Sequence, residues 1–344
     1  MSLRRRDFVS LAALGIALAL AHPGVAAAAD VPIEKMQVKM GHVPSFAYGG
    51  IYVALERGYF AERGLDVELV LTRGGDTAFQ VAGGTLQFAG GSPDSAFFNG
   101  LKRGLPLMGV ATLAFNPPDI SDTPLMVRKE LHDSGAVTKV AQLKGRKIAS
   151  LVPGGVVEYL LSLALKSGGL TMDDVQVIAP LGFPQMVDAL TTGAVDAALV
   201  AEPFGTMSVK KGVAVTLENK HDLGEQLLWI QTNRDFAKDH PNVVTNFLIA
   251  YLKAARDIAK ETWRGDKIVE IMQKYTKVPP EITKAAAPPV IPPNGGLNLT
   301  SIMNQQRYHL SRGRLTYKDE IPVESFTNHS FLDQALAQLG SYKQ

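Results

Sequence analysis

Apolar positions along this chain follow two spacings, a helical one and a strand one, and the two occur together twice in the same order. From Val187 to Phe204, VDALTTGAVDAALVAEPF, the end of an amphipathic helix meets a glycine stop at Gly193, then a short apolar strand, then a break carrying Glu202. From Phe79 to Asp94, FQVAGGTLQFAGGSPD, the same sequence of events runs through Gly84 to Asp94. The echo extends upstream: KMGHVP from Lys39 matches KIASLVP from Lys147 with one insertion, Tyr52 matches Tyr159, and DVELV from Asp66 matches DVQVI from Asp174, at an offset of 107 to 109 residues. Each copy reads strand, helix, strand, helix, strand. That predicts an α/β fold of two like lobes, each a mostly parallel sheet flanked by helices, with a cleft between them.

Taken in order, Lys35 to Val43 reads as the first strand, Ile51 to Glu62 as a helix closed by Gly64, and Leu65 to Leu71 as the second strand. Thr123 to Lys129 and Leu227 to Asn233 are two further strands that bracket the second copy. Pro241 to Trp263 predicts a long amphipathic helix with Val244, Phe247, Leu248, Tyr251, Leu252 and Ala255 on one face. Ala287 to Asn298, rich in proline and glycine, reads as a loop, and Thr300 to Arg312 and Ser330 to Leu339 as closing helices.

Composition narrows the setting. With 344 residues, 46% hydrophobic and 20% charged, the chain can bury a large core, and its length favours two domains. The net charge of +2 comes from Arg4, Arg5, Arg6 and Asp7; without residues 1–29, 32 basic and 32 acidic side chains remain, a neutral surface unsuited to nucleic acid. Residues 1–29 themselves read as an export signal: a basic start, a 13-residue apolar run from Val9 to Ala21, and small residues up to a cleavage point near Ala29. Arg5-Arg6-Asp7-Phe8-Val9 fits a twin-arginine signal as well as a general secretory one. The absence of cysteine removes disulfides, thiolate metal sites, cysteine nucleophiles and a lipid-anchor cysteine. No later stretch has the roughly 18 continuous apolar residues of a membrane span, so the expected location is free in the periplasm.

The stretch Gly49-Gly-Ile-Tyr-Val-Ala-Leu-Glu-Arg-Gly-Tyr-Phe60 with Gly64-Leu-Asp-Val67 resembles the start of the periplasmic substrate-binding proteins of ATP-binding-cassette (ABC) importers for nitrate, sulfonates such as taurine, and thiamine-precursor pyrimidines. The resemblance continues through Gly91-Ser-Pro-Asp94, Gly145-Arg-Lys-Ile148, Glu158-Tyr-Leu160, Gly193-Ala-Val-Asp196 and Glu202-Pro-Phe204, and covers most of residues 36–255. It implies the type II periplasmic-binding-protein fold. Lobe 1 is then residues 36–122 plus 234–344, lobe 2 is residues 123–233, and the two bracketing strands are the hinge connections. It also implies one small-molecule ligand, a permease with its ATPase as partner, and a monomer.

Candidate ligand residues fall in the loops at the carboxyl ends of strands, where open α/β sheets bind. In lobe 1 these are Pro44, Ser45, Phe46 and Tyr48, then Gly75 and Asp76, then Ser92 and Asp94, and Phe115. In lobe 2 they are Pro153, Gly154, Gly155 and Val156, then Phe183 and Glu202. The Pro153–Val156 turn opens a helix whose free N–H groups suit an anion or carbonyl oxygen, although the glycines also serve the turn alone. Glu202 ends an apolar strand, so it faces ligand or solvent, forms an interlobe salt bridge, or caps a helix. Asp76 and Asp94 are candidate caps as well. Relatives often carry tryptophan before this glutamate; here Ala201 stands there.

In these loops Arg73 is the sole cation against Asp76, Asp94, Glu158 and Glu202, and with the aromatic side chains this favours a planar, nitrogen-bearing ligand such as a thiamine-precursor aminopyrimidine. Sulfonate, taurine, nitrate or an aromatic acid is the alternative. His42 has no second histidine at ligand spacing, so no metal, cofactor or catalytic residue is expected. A biosynthetic enzyme on the same fold is the competing class. Of its examples, yeast pyrimidine synthase requires a cysteine-rich motif that this chain lacks, and the menaquinone-pathway enzymes belong in the cytoplasm.

Overall fold

The computed structural model describes residues 30–72 and 76–343. Residues 1–29, expected to direct export, and Gly75 with Arg73 and Gly74, lie outside the described residues.

Among the described residues ten strands form two sheets of five. The first takes β1 (Met36–His42), β2 (Leu65–Leu71), β3 (Phe88–Gly91) and β4 (Leu107–Phe115), together with β10 (Gln226–Asn233), in the order β2-β1-β3-β10-β4. The second takes β5 (Leu125–Arg128), β6 (Lys147–Ala149), β7 (Gln176–Ile178), β8 (Ala197–Leu199) and β9 (Ala214–Glu218), in the order β7-β6-β8-β5-β9. β1 runs parallel to β2 and β3, and β6 runs parallel to β7 and β8. In each sheet one strand is antiparallel to both neighbours: β10 in the first, β5 in the second. The duplicated topology read from the echo is therefore present, strand for strand.

The lobe boundary at 233 needs correction, because β10 is a strand of the first sheet and not of lobe 2. The chain crosses after β4 to give the second sheet its antiparallel strand, and crosses back after β9 to give the first sheet its own. β10 is buried along almost its whole length, with Trp229 packed edge-on against Phe97 at 4.8 Å. Its sequence, QLLWIQTN, mixes apolar and polar positions and carries no mark of the sheet that receives it. The two crossings, residues 116–124 and 219–225, are bonded to each other: Asn116 N–H donates to the Glu225 carbonyl (2.9 Å) and Ser121 N–H to that of Asn219 (2.7 Å).

Each lobe has its own core. In lobe 1 the helix Pro241–Glu261 buries Val244, Phe247, Leu248, Tyr251, Leu252 and Ala255, the face that its periodicity predicts. Phe247 stacks on Phe88 at 4.0 Å, and Tyr251 O–H donates to the carbonyls of Thr112 and Leu113 (2.9 and 3.0 Å). The helix expected over Ile51–Glu62 is two helices, Gly49–Glu56 and Tyr59–Glu62, because Gly58 takes a left-handed φ of 71° between them. The closing helix Leu299–Ser311 leans across the lobe boundary onto Val156–Ser167 of lobe 2, where the Tyr308 and Tyr159 rings meet edge-on at 5.5 Å.

Candidate functional site

A contact between the lobes is built on the turn after β6. Gly154 adopts φ +79° and its carbonyl accepts from Ser95 N–H of lobe 1 at 2.9 Å. A Cβ at this position would lie 2.1 Å from Ser95 Oγ, so glycine is needed both for the backbone and for the approach of the lobes. Gly155 occupies the N-cap of Val156–Ser167 and offers no side-chain cap. Instead, Glu158 in the first turn folds back, and its Oε2 accepts from Gly154 N–H. Its Oε1 accepts from Arg314 of lobe 1 through Nη2 (3.0 Å) and Nε (3.3 Å), and Tyr308 O–H lies 3.4 Å away. The interlobe ion pair considered for Glu202 is made by Glu158.

Two of the other carboxylates cap helices of their own lobes, and Glu202 also faces the Ala287 backbone of lobe 1. Asp94 caps Ser95–Lys102: Oδ1 accepts from Phe97 N–H and Oδ2 from the Ser92 hydroxyl, each at 2.8 Å, while burial pushes its carboxyl up. Glu202 caps Phe204–Lys210 by accepting from Thr206 N–H (3.0 Å) and the Thr206 hydroxyl (2.9 Å), and burial raises its carboxyl too. Asp76 sits at an N-cap position but makes no cap bond, since its helical backbone (φ −85°, ψ −20°) does not aim the carboxyl at the next N–H groups. It is exposed beside the residues outside the description.

The aromatic candidates divide. Phe46 and Tyr48 are 1% and 2% exposed: the short turn Phe46–Tyr48 points them into the lobe 1 core, Phe46 against Trp263 and Tyr48 toward the Gly90 carbonyl. They present no stacking face, a correction to their assignment as ligand residues. Phe183 and Phe204 stack on each other within lobe 2 at 6.0 Å. Phe115 is half-buried at the end of β4, its backbone paired with Val290. Pro44 is exposed and Ser45 half-buried at the end of β1, and Val156 is half-buried at the start of its helix. His42 Nδ1 lies 3.0 Å from the Tyr52 hydroxyl, inside the core.

A cavity of about 160 Å³ opens where lobe 2 meets the chain's closing segment. Leu151, Met172, Val175 and Val177 give it an apolar wall; Ser150, Pro153, Glu158, Arg312 and Arg314 supply the remainder together with Ala179. Ser150 is 1% exposed and its hydroxyl has no partner, and Nε of Arg312 is likewise buried and unpartnered. Arg312 holds Asp173 through Nη1 at 3.0 Å. Next to this cluster the buried His309 is pushed down to about 4 by desolvation, so it is neutral.

Of the residues expected from sequence, Pro153 alone lines this cavity. Ser150, Arg312 and Arg314 were missed. The two arginines flank Gly313 at the end of a helix about 150 residues downstream, where the loop-by-loop charge count did not reach. That count, with Arg73 as sole cation, is therefore incomplete. Among the described residues no cluster of three or more His, Asp or Glu side chains has metal-binding geometry, and no helix is long and apolar enough to cross a membrane.

This architecture, two α/β lobes each with one exchanged antiparallel strand, is the periplasmic-binding-protein fold. The NMT1/THI5-like family model matches residues 45–262, and the chain belongs to that family. Two solved structures share the fold. The periplasmic nitrate-binding protein NrtA of Synechocystis PCC 6803 superimposes with a TM-score of 0.73 at 18% identity, over 89% of this chain and 90% of that one. The alkanesulfonate-binding protein SsuA of Xanthomonas axonopodis pv. citri, bound to MOPS, gives 0.70 at 19%, over 87% and 100%. The desulfurization enzyme DSZB also shares the fold, at 0.62 and 14% identity over 89% and 100%.

By sequence the nitrate/nitrite binding protein NrtA of Nostoc sp. (strain PCC 7120) is 26% identical over 66% of this chain. The bicarbonate transport ATP-binding protein CmpC of Synechocystis sp. (strain PCC 6803) is 27% identical over 64%. The chain spans 55% of the length of the first and 35% of the second.

Proposed function

We propose that the protein is a periplasmic solute receptor that captures one small solute between its lobes and presents it to the permease and ATPase of an ABC importer. In this reading residues 1–29 direct export, and the mature chain acts as a free monomer that closes about its two crossings. The solute the geometry favours carries an oxyanion: a sulfonate, nitrate or the carboxylate of an aromatic acid.

One observation carries this choice. Around the cavity the groups left over are a buried serine hydroxyl and guanidinium N–H groups, whereas the carboxylates of Asp94 and Glu202 are already taken by their own helices. An oxyanion supplies acceptors to those donors. An aminopyrimidine needs free carboxylate acceptors, so it ranks second. The apolar wall of Leu151, Met172, Val175 and Val177 suits a short hydrocarbon or ring attached to the anion.

Isothermal titration of the mature protein with methanesulfonate, taurine, nitrate, benzoate and an aminopyrimidine tests the proposal, with chromatography of the mixture afterwards. The expected result is 1:1 binding of at least one oxyanion and full recovery of the ligand. Binding of the aminopyrimidine alone overturns the ligand class, and a new product peak overturns the receptor class in favour of an enzyme.

A further inference from the structure

Three charged side chains line the cavity at the lobe boundary: Arg312 and Arg314 from the closing segment, and Glu158 from lobe 2. Their separate positions decide what the cavity accepts. Glu158, its side chain 4% exposed, already neutralises Arg314 through two N–H bonds and fills the N-terminus of its own helix by taking the Gly154 N–H. Arg312 is held from outside by Asp173, whose side chain is 77% exposed and solvated, while its Nε is unpartnered, as is the buried hydroxyl of Ser150, which lines the same cavity. Buried and neutral, His309 adds no charge.

The described lining thus carries one positive charge in excess. A singly charged oxyanion cancels it. A doubly charged one leaves a negative charge facing Glu158 in a partly desolvated site, where like charges repel far more strongly than in water.

We infer that Glu158 sets the charge that the receptor accepts: by neutralising Arg314 it makes the cavity select singly charged oxyanions over doubly charged ones. The inference rests on the oxyanion reading proposed above and adds to it a residue and a rule. Glu158 acts on the ligand through Arg314 and through the field of the cavity, so it is a specificity-determining residue and not a direct ligand of the anion.

The test compares methanesulfonate, singly charged, with sulfate, doubly charged, by isothermal titration at neutral pH and low salt, in the wild-type protein and in Glu158→Gln. Glutamine keeps an oxygen for Gly154 N–H and removes the charge. Wild-type protein is expected to bind methanesulfonate at least tenfold more tightly than sulfate, and Glu158→Gln to shift that ratio toward sulfate by about tenfold or more. An unchanged ratio, or a wild-type protein that binds both anions equally, overturns the inference while leaving the oxyanion reading in place. A wild-type protein that binds neither of these anions, nor nitrate, taurine or benzoate, overturns the oxyanion reading itself.

Because Glu158 also bridges the lobes, Arg312→Gln provides a second variant, one that leaves every Glu158 contact intact and brings the lining charge to zero. It is expected to weaken methanesulfonate at least tenfold, and undiminished affinity counts against the rule even if Glu158→Gln proves too unstable to titrate.

Discussion

Asp122 stands at the first crossing between the lobes, buried among other acidic groups. Desolvation pushes it up to about 7, with Asp222 and Glu202 adding repulsion and only the Thr123 hydroxyl, 2.6 Å from Oδ1, opposing. Asp222 is itself bonded by the Ser121 hydroxyl (3.0 Å) and lies 3.2 Å from His221 Nε2. In the unfolded chain an aspartate loses its proton near pH 4. Between that pH and about 7 the native state therefore holds one proton more than the unfolded state, and stability falls as pH rises through the window. Asp122→Asn, neutral in both states, should remove this part of the slope. Melting temperatures measured from pH 4 to 8 should fall less steeply for Asp122→Asn than for the wild type, and parallel curves would show that Asp122 keeps an ordinary carboxyl.

The elements around the site are set by glycines and caps as much as by apolar faces. The Pro153–Val156 turn was legible as a helix start because proline and paired glycines break the strand before an amphipathic run. That Glu158 would fill that helix end was not, since the same pattern leaves its N–H groups equally open to an outside anion. Phe46 and Tyr48 were misplaced for a related reason: strand-end position predicts nearness to a cleft, whereas a single short turn decides whether a ring points in or out.

At element scale the decisive substitution is Gly154→Ala. A left-handed residue other than glycine costs roughly 1–2 kcal/mol, and the added Cβ also collides with Ser95 across the lobe boundary. Calorimetry should show a lower melting temperature, and affinity for whichever oxyanion the titration finds to bind should drop by about tenfold or more. A variant that melts and binds like the wild type would mean that the Ser95–Gly154 contact contributes nothing to closure.

For the whole molecule the exchange of β5 and β10 has a mechanical consequence. Each lobe's sheet is completed by a strand whose connection runs through the hinge, so the lobes cannot separate as independent units, yet only residues 116–124 and 219–225 link them covalently. In the receptor proposed above, bending there would open or close the boundary at Ser95–Gly154 and Arg314–Glu158 and leave each core intact. Saturating ligand is therefore expected to slow hydrogen exchange together in peptides covering 92–97, 150–158 and 308–314, from both lobes, while Phe88, Phe247 and their neighbours exchange as before. Protection confined to one lobe would argue for a ligand held without closure.

Local signals decided much of this protein. The period of apolar positions and the glycine stops determined the strands and crossover helices, because each depends on residues within about ten positions of one another, and the repetition of that local pattern at a constant offset determined two lobes of one topology. The tertiary structure alone decided which sheet owns β10 and that Arg312 and Arg314 stand over Glu158. Those outcomes depend on burial and charge brought together across as many as 156 positions of chain, as between Glu158 and Arg314, and no local pattern records that distance closing.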